Sequence, residues 1–339
     1  MHHLHSAGAV RAGRFGGRIF QTIALALCAA LLAGAAQAQF NWPNRQVRIV
    51  VTFTPGGAPD ILARVLSERW QQAFGQSVLV DNKPGAGGNI GTDFVAKSPA
   101  DGYTLLLATV GTQTTNPALY SKLPFDAIKD FTPVSFLAST PNLLVVNKDL
   151  PAKNVRELID LAKAKPNTLT FGSSGSGTSI HLSGELFKVM AGVSMQHIPY
   201  KGRAAAIPDL LGGRINMIFD NMPSALPLAK SGDIRALAVT SAKRSPAAPN
   251  IPTIAESGLP GFEATSWFAL MAPAKPPPDV LAKINQETLR VMNLPDVRDK
   301  LVQLGLEVAP GRPEELAAFI QSETVKWAKV VKESGAKPD

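Results

Sequence analysis

The chain is poor in the residue types from which several protein classes are built. Its 339 residues include one cysteine and five histidines. One cysteine excludes a disulfide scaffold, a cysteine-held zinc site and an iron–sulfur cluster. Only three of the 22 aromatic residues are tyrosines, and no basic run exceeds the pair Lys243-Arg244. With no basic stripe and no aromatic stacking series, the formal charge of +8 does not point to nucleic acid. Internal repeats and low-complexity runs are missing too, so the 28 glycines and 27 prolines read as punctuation between elements. Enough apolar residue is present, 45%, to bury the cores of two ordinary domains.

A membrane-spanning run is also lacking. The one long apolar stretch, Ile19–Leu32, falls short of the roughly 20 residues a spanning helix needs. Arg11, Arg14 and Arg18 precede it, and the small residues Gly34-Ala35-Ala36-Gln37-Ala38 come after it. A basic start, an apolar middle and an A-x-A exit make residues 1–38 a secretory signal peptide, cut after Ala38. A lipoprotein would need a small residue before Cys28, where Leu27 stands. Cleavage takes three of the 34 basic residues and no acidic one, leaving 31 against 26, a charge of +5. It also removes Cys28 and leaves His181 and His197 as the only histidines, too few for a histidine-built metal site. The expected product is exported to the periplasm and carries no metal.

What remains is an alternation of short β-branched runs with amphipathic helices, the signature of α/β units around mostly parallel sheets. Val47–Phe53, Ser77–Val80, Tyr103–Ala108 and Leu143–Val146 read as strands of a first half. Leu62, Leu66, Trp70 and Phe74 share one face of the helix after the first strand. Asn154 caps a helix through Leu158, Ile159 and Leu161 that stops at Pro166. A second half comes next, with strands at Leu169–Phe171, Gln196–Ile198, Ile215–Phe219 and Ala236–Thr240. Thr178 or Ser179 caps the helix through Leu182, Leu186 and Phe187, and Gly212-Gly213 closes a short helix at Ile207–Leu211. Strand-like Trp267–Met271 and helices through Val280–Met292 and Leu316–Val331 form a C-terminal extension. Leu143–Val146 and Ala236–Thr240 suit crossings between the halves.

The chemistry lies in the loops at the strand ends. Thr54-Pro55-Gly56-Gly57, Thr109-Val110-Gly111-Thr112, Gly172–Ser179, Tyr200-Lys201-Gly202 and Asp220–Ser224 put glycines and hydroxyls at the carboxyl ends of strands, the edge where open α/β sheets bind ligands. Gly172–Ser179 is the sharpest. A Gly/Ser turn opening a helix leaves backbone N–H groups beside a positive dipole end, a receptor for a carboxylate. Thr54–Gly57 repeats the arrangement at the first strand. As plain capped turns these loops need no ligand, but two in equivalent positions favour an anion cleft.

Enzyme signatures fit poorly. Gly172–Ser179 lacks the lysine of a phosphate-binding loop, Gly85, Gly87 and Gly91 are spaced one residue too long for a dinucleotide fingerprint, and Ser176 stands where a nucleophile elbow needs glycine. Ser173 or Ser174 with His181 and Asp220 could form a triad, leaving an exported serine hydrolase as the rival reading. Lys201 and Arg203 beside Tyr200 could equally be a solvated turn or a cleft-facing pair.

These residues resemble the Bug family, the TctC-like extracytoplasmic solute-binding proteins of tripartite tricarboxylate transporters. The matching segments are Thr52–Gly57 with Asp60 and Arg64, Val80–Gly88, Asn116–Tyr120, Leu123–Asp126, Phe171–Ser179 with His181, Pro199–Gly202, Asp209–Gly213, Phe219-Asp220, Leu237–Thr240 and Pro252–Glu256. The resemblance covers nearly all of the mature chain. It implies a two-domain periplasmic solute-binding fold, a type II clamshell with two crossovers. One domain would comprise residues 39–141 plus about 242–339, the other about 142–241. It implies capture of a small carboxylate, no catalysis, no cofactor, delivery to integral-membrane permease subunits, and a monomer. A sensor docking on a receptor kinase would use the same clamshell. Carried onto this chain, the ligand-binding residues are Phe53, Gly56, Gly57, Thr109, Ser173, Ser174, Gly177, Thr178, Tyr200 and Asp220. Asp220 could pair the ammonium of an amino-acid ligand. Ala58-Pro59 departs from the family pattern, and Pro59 brings no N–H to that loop.

Overall fold

The computed structural model describes residues 42–338, so the signal-peptide reading and Cys28 lie outside the described residues. Among the described residues no helix is long and apolar enough to cross a membrane. Within the compact unit that begins at Arg45, ten strands are joined edge to edge. β1 (Val47–Val51) lies between β2 (Val78–Asn82) and β3 (Thr104–Thr109), all parallel. β5 (Thr170–Ser173) likewise runs parallel to β6 (Gln196–Pro199) and β7 (Met217–Asn221). β1 is all but free of polar residues because helices cover both of its faces, which is what buried parallel strands require.

The centre departs from the mostly parallel expectation. β4 (Phe131–Asn147) is 17 residues long and antiparallel to everything it touches. Its first part pairs with β9 (Thr265–Pro273) and the two-residue β10 (Glu307–Val308), and its last part with β7 and β8 (Ile234–Val239). The sheet changes partners between Pro141 and Asn142. Only Leu143–Val146 of this strand is legible in the sequence. Pro133 and Pro141 hide the rest, and the ladder accommodates it with register shifts between Pro133 and Ser135 and between Phe136 and Ala138. β9 in turn runs antiparallel to β3. Each half therefore has a parallel flank and an antiparallel centre, built by the strands that pass between them.

The helices alternate with the strands: α1 (Ala58–Phe74), α2 (Asn89–Ala96), α3 (Val155–Ala164), α4 (Ser179–Ala191), α5 (Arg203–Leu211), α6 (Met222–Ser231), α7 (Pro278–Met292), α8 (Pro295–Gln303) and α9 (Pro313–Ser334). Leu62, Leu66 and Trp70 of α1 are fully buried, as their spacing predicts, and Phe74 is half-buried. Asn154 caps α3, accepting from Glu157 N at 2.9 Å. α6 has no apolar period legible in the sequence, since Pro227 sits inside it. The C-terminal helix is no loose extension. Trp267 Nε1 on β9 and Trp327 Nε1 on α9 both donate to Glu323 Oε2, at 3.0 and 2.8 Å. That buried fork locks α9 onto the strand that carries Ser266 and Phe268 to the cavity.

Candidate functional site

Five helical starts converge on one small cavity. Its walls are Phe53, Thr54, Gly57 and Pro59 at the start of α1, Thr109 and Val110 at the end of β3, and Ser174, Thr178, Ser179 and Ile180 at the start of α4. Arg203 of α5, Asp220 and Asn221 before α6, and Ser266 and Phe268 of β9 complete it. After Val110 the chain makes one π-helical turn, Gly111–Thr115, the fifth start. The cavity measures about 40 Å³, on a scale where one water takes roughly 10–15 Å³. It suits a small molecule, not a nucleotide-sized cofactor. Of the five residues that precede these turns, only Thr178 caps its helix with its own side chain. The partial positive charge of the helix ends thus faces the cavity beside the guanidinium of Arg203.

The first loop is shaped by Asp60, a buried carboxylate. Arg64 Nε and Nη2 grip it at 2.8 and 3.1 Å, Asn82 Nδ2 donates to it at 3.0 Å, and so does Gly56 N at 3.0 Å. Asn82 Nδ2 also reaches Phe53 O at 3.0 Å. Burial works against ionisation of Asp60, but the bonds from Arg64, Gly56 and Asn82 prevail and hold its carboxyl below the usual range.

The second loop is held by hydroxyls and imidazoles. Thr178 Oγ1 donates to Gly175 O at 2.8 Å and accepts from His181 N at 3.3 Å. Gly177 N donates to His181 Nδ1 at 3.2 Å, which places the ring proton on Nε2. His181 stacks on His197 at 4.0 Å between ring centres, and His197 on Phe171 at 4.9 Å. Ser173 Oγ lies 2.6 Å from His197 Nε2. Burial, aided by His197 and Lys188, drives the pKa of His181 down to about 3, so the ring is neutral.

A third element is an ion pair. Asp220 is fully buried, Arg203 Nε donates to it at 2.5 Å, and Arg203 Nη2 donates to Ser224 O at 2.8 Å. Burial pushes the Asp220 carboxyl up while Arg203, Asn221 and Ser224 pull against it. Beneath lies a polar floor. Asn221 Nδ2 donates to Asn142 Oδ1 at 2.6 Å and Ser266 Oγ at 2.8 Å, and Ser266 Oγ donates to Ser179 Oγ at 2.5 Å. Asn142 is the first residue of β4 to pair with β7, so the floor sits where the sheet changes partners.

The halves meet along a seam of glycines. A methyl group on Gly87 would overlap the Ser176 carbonyl, one on Gly177 would overlap Asn116 Oδ1, and one on Gly202 would lie 2.6 Å from Thr54 Oγ1. Ala204 N donates to that same Thr54 Oγ1 at 3.3 Å.

Of the residues expected at the site, Phe53, Gly57, Thr109, Ser174, Thr178 and Asp220 line the cavity. Gly56, Ser173, Gly177 and Tyr200 do not. Gly56 N is committed to Asp60, Ser173 Oγ to His197 and Gly177 N to His181. Tyr200 donates its hydroxyl to Asp209 Oδ2 at 2.7 Å, and burial with that carboxylate raises its pKa to about 12. Arg203 faces the cavity, Lys201 is exposed, and His181 is buried behind the wall. Ser266 and Phe268 escape a reading of the sequence. Ser266 is the one buried polar residue of a strand that is otherwise apolar from Trp267 to Pro273, but nothing local says which face meets a ligand.

A family model described as the tripartite tricarboxylate transporter family receptor matches residues 62–336. The chain is 38% identical over 321 residues to the protein BugT of Bordetella pertussis, covering 94% of this chain and 98% of that protein. Among solved structures, an R. palustris protein with adipate superposes with a TM-score of 0.86 at 43% identity, covering 88% of this chain and all of that one. MatC from Rhodopseudomonas palustris with bound malate gives 0.81 at 32% identity, over 86% of this chain and all of that one.

Proposed function

The chain belongs to the tripartite tricarboxylate transporter receptor family, and from that premise we propose that it is a periplasmic solute-binding protein that closes on a small carboxylate. The observation that carries this reading is the convergence of five helical starts, with the Ser174, Thr178 and Thr109 hydroxyls, on a cavity of a few waters' volume. Such a site binds an anion through amides and hydroxyls, each helix end adding about 0.3–1 kcal/mol. Two of its relatives were solved with adipate and malate, both small carboxylates. The residues that would touch the ligand are Phe53, Gly57, Thr109, Ser174, Thr178 and Arg203. Residues 1–38 would export the chain, cleavage falling after Ala38, and the mature monomer would hand its ligand to integral-membrane permease subunits. The lobes, about 142–241 against the rest, would rotate where β4 changes partners, between Pro141 and Asn142, and at the return crossing near Thr240. Thr240 Oγ1 is bonded there to Ala264 O at 2.6 Å.

Isothermal titration of the mature protein with a panel of small mono- and dicarboxylates tests the reading. Micromolar or tighter binding of at least one acid is expected, and silence across the panel defeats it. One observation favours the rival hydrolase, the 2.6 Å contact between Ser173 and His197. Against it, Ser173 is 1% exposed and lies off the cavity wall, and Asp220 is occupied by Arg203. Covalent labelling by a serine-directed fluorophosphonate, lost in Ser173→Ala, would restore that rival.

A further inference from the structure

Asp220 is the only carboxylate on the cavity wall among the described residues. A buried carboxylate beside a ligand ordinarily recruits a cationic partner, because an unpaired charge there is costly. In this chain the partner is internal. The Arg203 guanidinium contacts Asp220 through Nε and fixes itself to Ser224 O through Nη2, while its third nitrogen, Nη1, donates to no atom among the described residues. The Arg203 side chain keeps 17% of its surface and Asp220 keeps none. Of the two residues on the wall, Arg203 therefore offers the exposed surface and an uncommitted N–H nitrogen, and Asp220 a covered and occupied carboxylate. Every other polar group on the wall is a hydroxyl, an amide or a helix start, all neutral or weakly positive.

We infer that Arg203 is the residue that sets selectivity at this site: by occupying Asp220 it excludes ligands that carry an ammonium group and favours acids without one. The inference rests on the carboxylate-receptor reading and adds what that reading leaves open, which is discrimination between a dicarboxylate and its amino-acid counterpart. The physics is local. An α-ammonium placed in the cavity would find no free acceptor carboxylate and would face a guanidinium, a like-charge juxtaposition in a confined space. A carboxylate, carbonyl or hydroxyl oxygen in the same place would accept from Nη1. Removing the guanidinium exposes Asp220 and inverts the preference.

The test is a set of titrations with three matched pairs: succinate and aspartate, glutarate and glutamate, adipate and 2-aminoadipate. In the wild-type protein the unaminated acid of the best pair is expected to bind at least tenfold more tightly than its amino counterpart. In Arg203→Ala that ratio should fall at least tenfold, and in Arg203→Ala/Asp220→Ala the gain of the amino acid should vanish. A merely structural role would weaken both members of a pair alike. If circular dichroism finds Arg203→Ala unfolded, Arg203→Gln carries the same test, since it keeps hydrogen bonding to Asp220 and removes the charge. A wild-type ratio near one, or a ratio unchanged in the folded variant, overturns the inference while leaving the receptor reading intact. Silence of the wild-type protein toward these three acids and across the wider carboxylate panel overturns both.

Discussion

The two loops that face each other across the cavity share one motif, a strand, a glycine-rich turn and a helix, yet they are fastened by different physics. The first, Phe53–Asp60, hangs on a buried carboxylate with a guanidinium, an amide and a backbone N–H around it. The second, Ser173–His181, hangs on no carboxylate: it is held by a threonine cap, a serine and two stacked imidazoles. The ion pair turns its donors inward and leaves the first loop to offer backbone shape. The second network leaves the Ser174 hydroxyl uncommitted on the cavity wall. One loop is a brace and the other a reader.

This contrast can be broken at the brace first. Asp60→Ala removes the acceptor for Gly56 N and Asn82 together. Bonds to a charged group contribute about 1.5–3 kcal/mol each, but Arg64 is more than half exposed and recovers water, so a loss of about 3 kcal/mol is expected in urea unfolding. Survival of full stability would show that the loop is held by packing instead. Acid separates the two loops next. His181 is neutral in the folded state with a pKa of about 3, against roughly 6.5 unfolded. Its contribution is whole above pH 6.5 and is lost progressively as pH falls toward 3, because the unfolded chain binds the proton that the fold refuses. At pH 5 that is about 2 kcal/mol, at roughly 1.4 kcal/mol per unit. Asp60, with its folded pKa depressed, keeps its contribution above an unfolded pKa of about 3.9 and loses it only as pH falls through the lower folded value. His181→Asn, which retains an acceptor for Gly177 N, should flatten the stability profile between about pH 5 and 7. An unaltered slope would remove the imidazole from the account.

Smaller effects sharpen the reader. Thr178→Val deletes the cap of α4 and the bond to Gly175 O, costing about 1 kcal/mol of apo stability as well as ligand affinity. Ser174→Ala is the cleaner probe, since the Ser174 hydroxyl bonds to nothing among the described residues and lines the cavity. Its thermal midpoint should match the wild type while affinity for the best carboxylate drops severalfold. A midpoint that falls with the affinity would make Ser174 a structural residue.

Much of this is readable from residues alone. The β-branched runs, the α1 face of Leu62, Leu66 and Trp70, and the caps Asn154 and Thr178 stand where local chemistry puts them. Phe53, Gly57, Thr109, Ser174, Thr178 and Asp220 reach one cavity because strand ends and helix starts are local features. What escapes is non-local. Ser173 meets His197 only because β5 and β6 pair with Phe171 opposite His197, a register no local pattern encodes. Arg203 and Asp220 lie 17 residues apart and become partners through α5 and β7. β4 shows only in part because its two prolines mask a strand that tertiary pairing sustains.

The glycine seam separates two kinds of freedom. Where Gly87, Gly177 and Gly202 lie against the opposite wall, any side chain acts as a wedge, so the fit of one half on the other tolerates no drift. Directly after two of them in the chain, Thr178 follows Gly177 and Arg203 follows Gly202, and these two with Ser174 line the cavity. The side chains that meet the cavity can therefore change while the neighbouring glycines, which set how the halves fit, stay fixed.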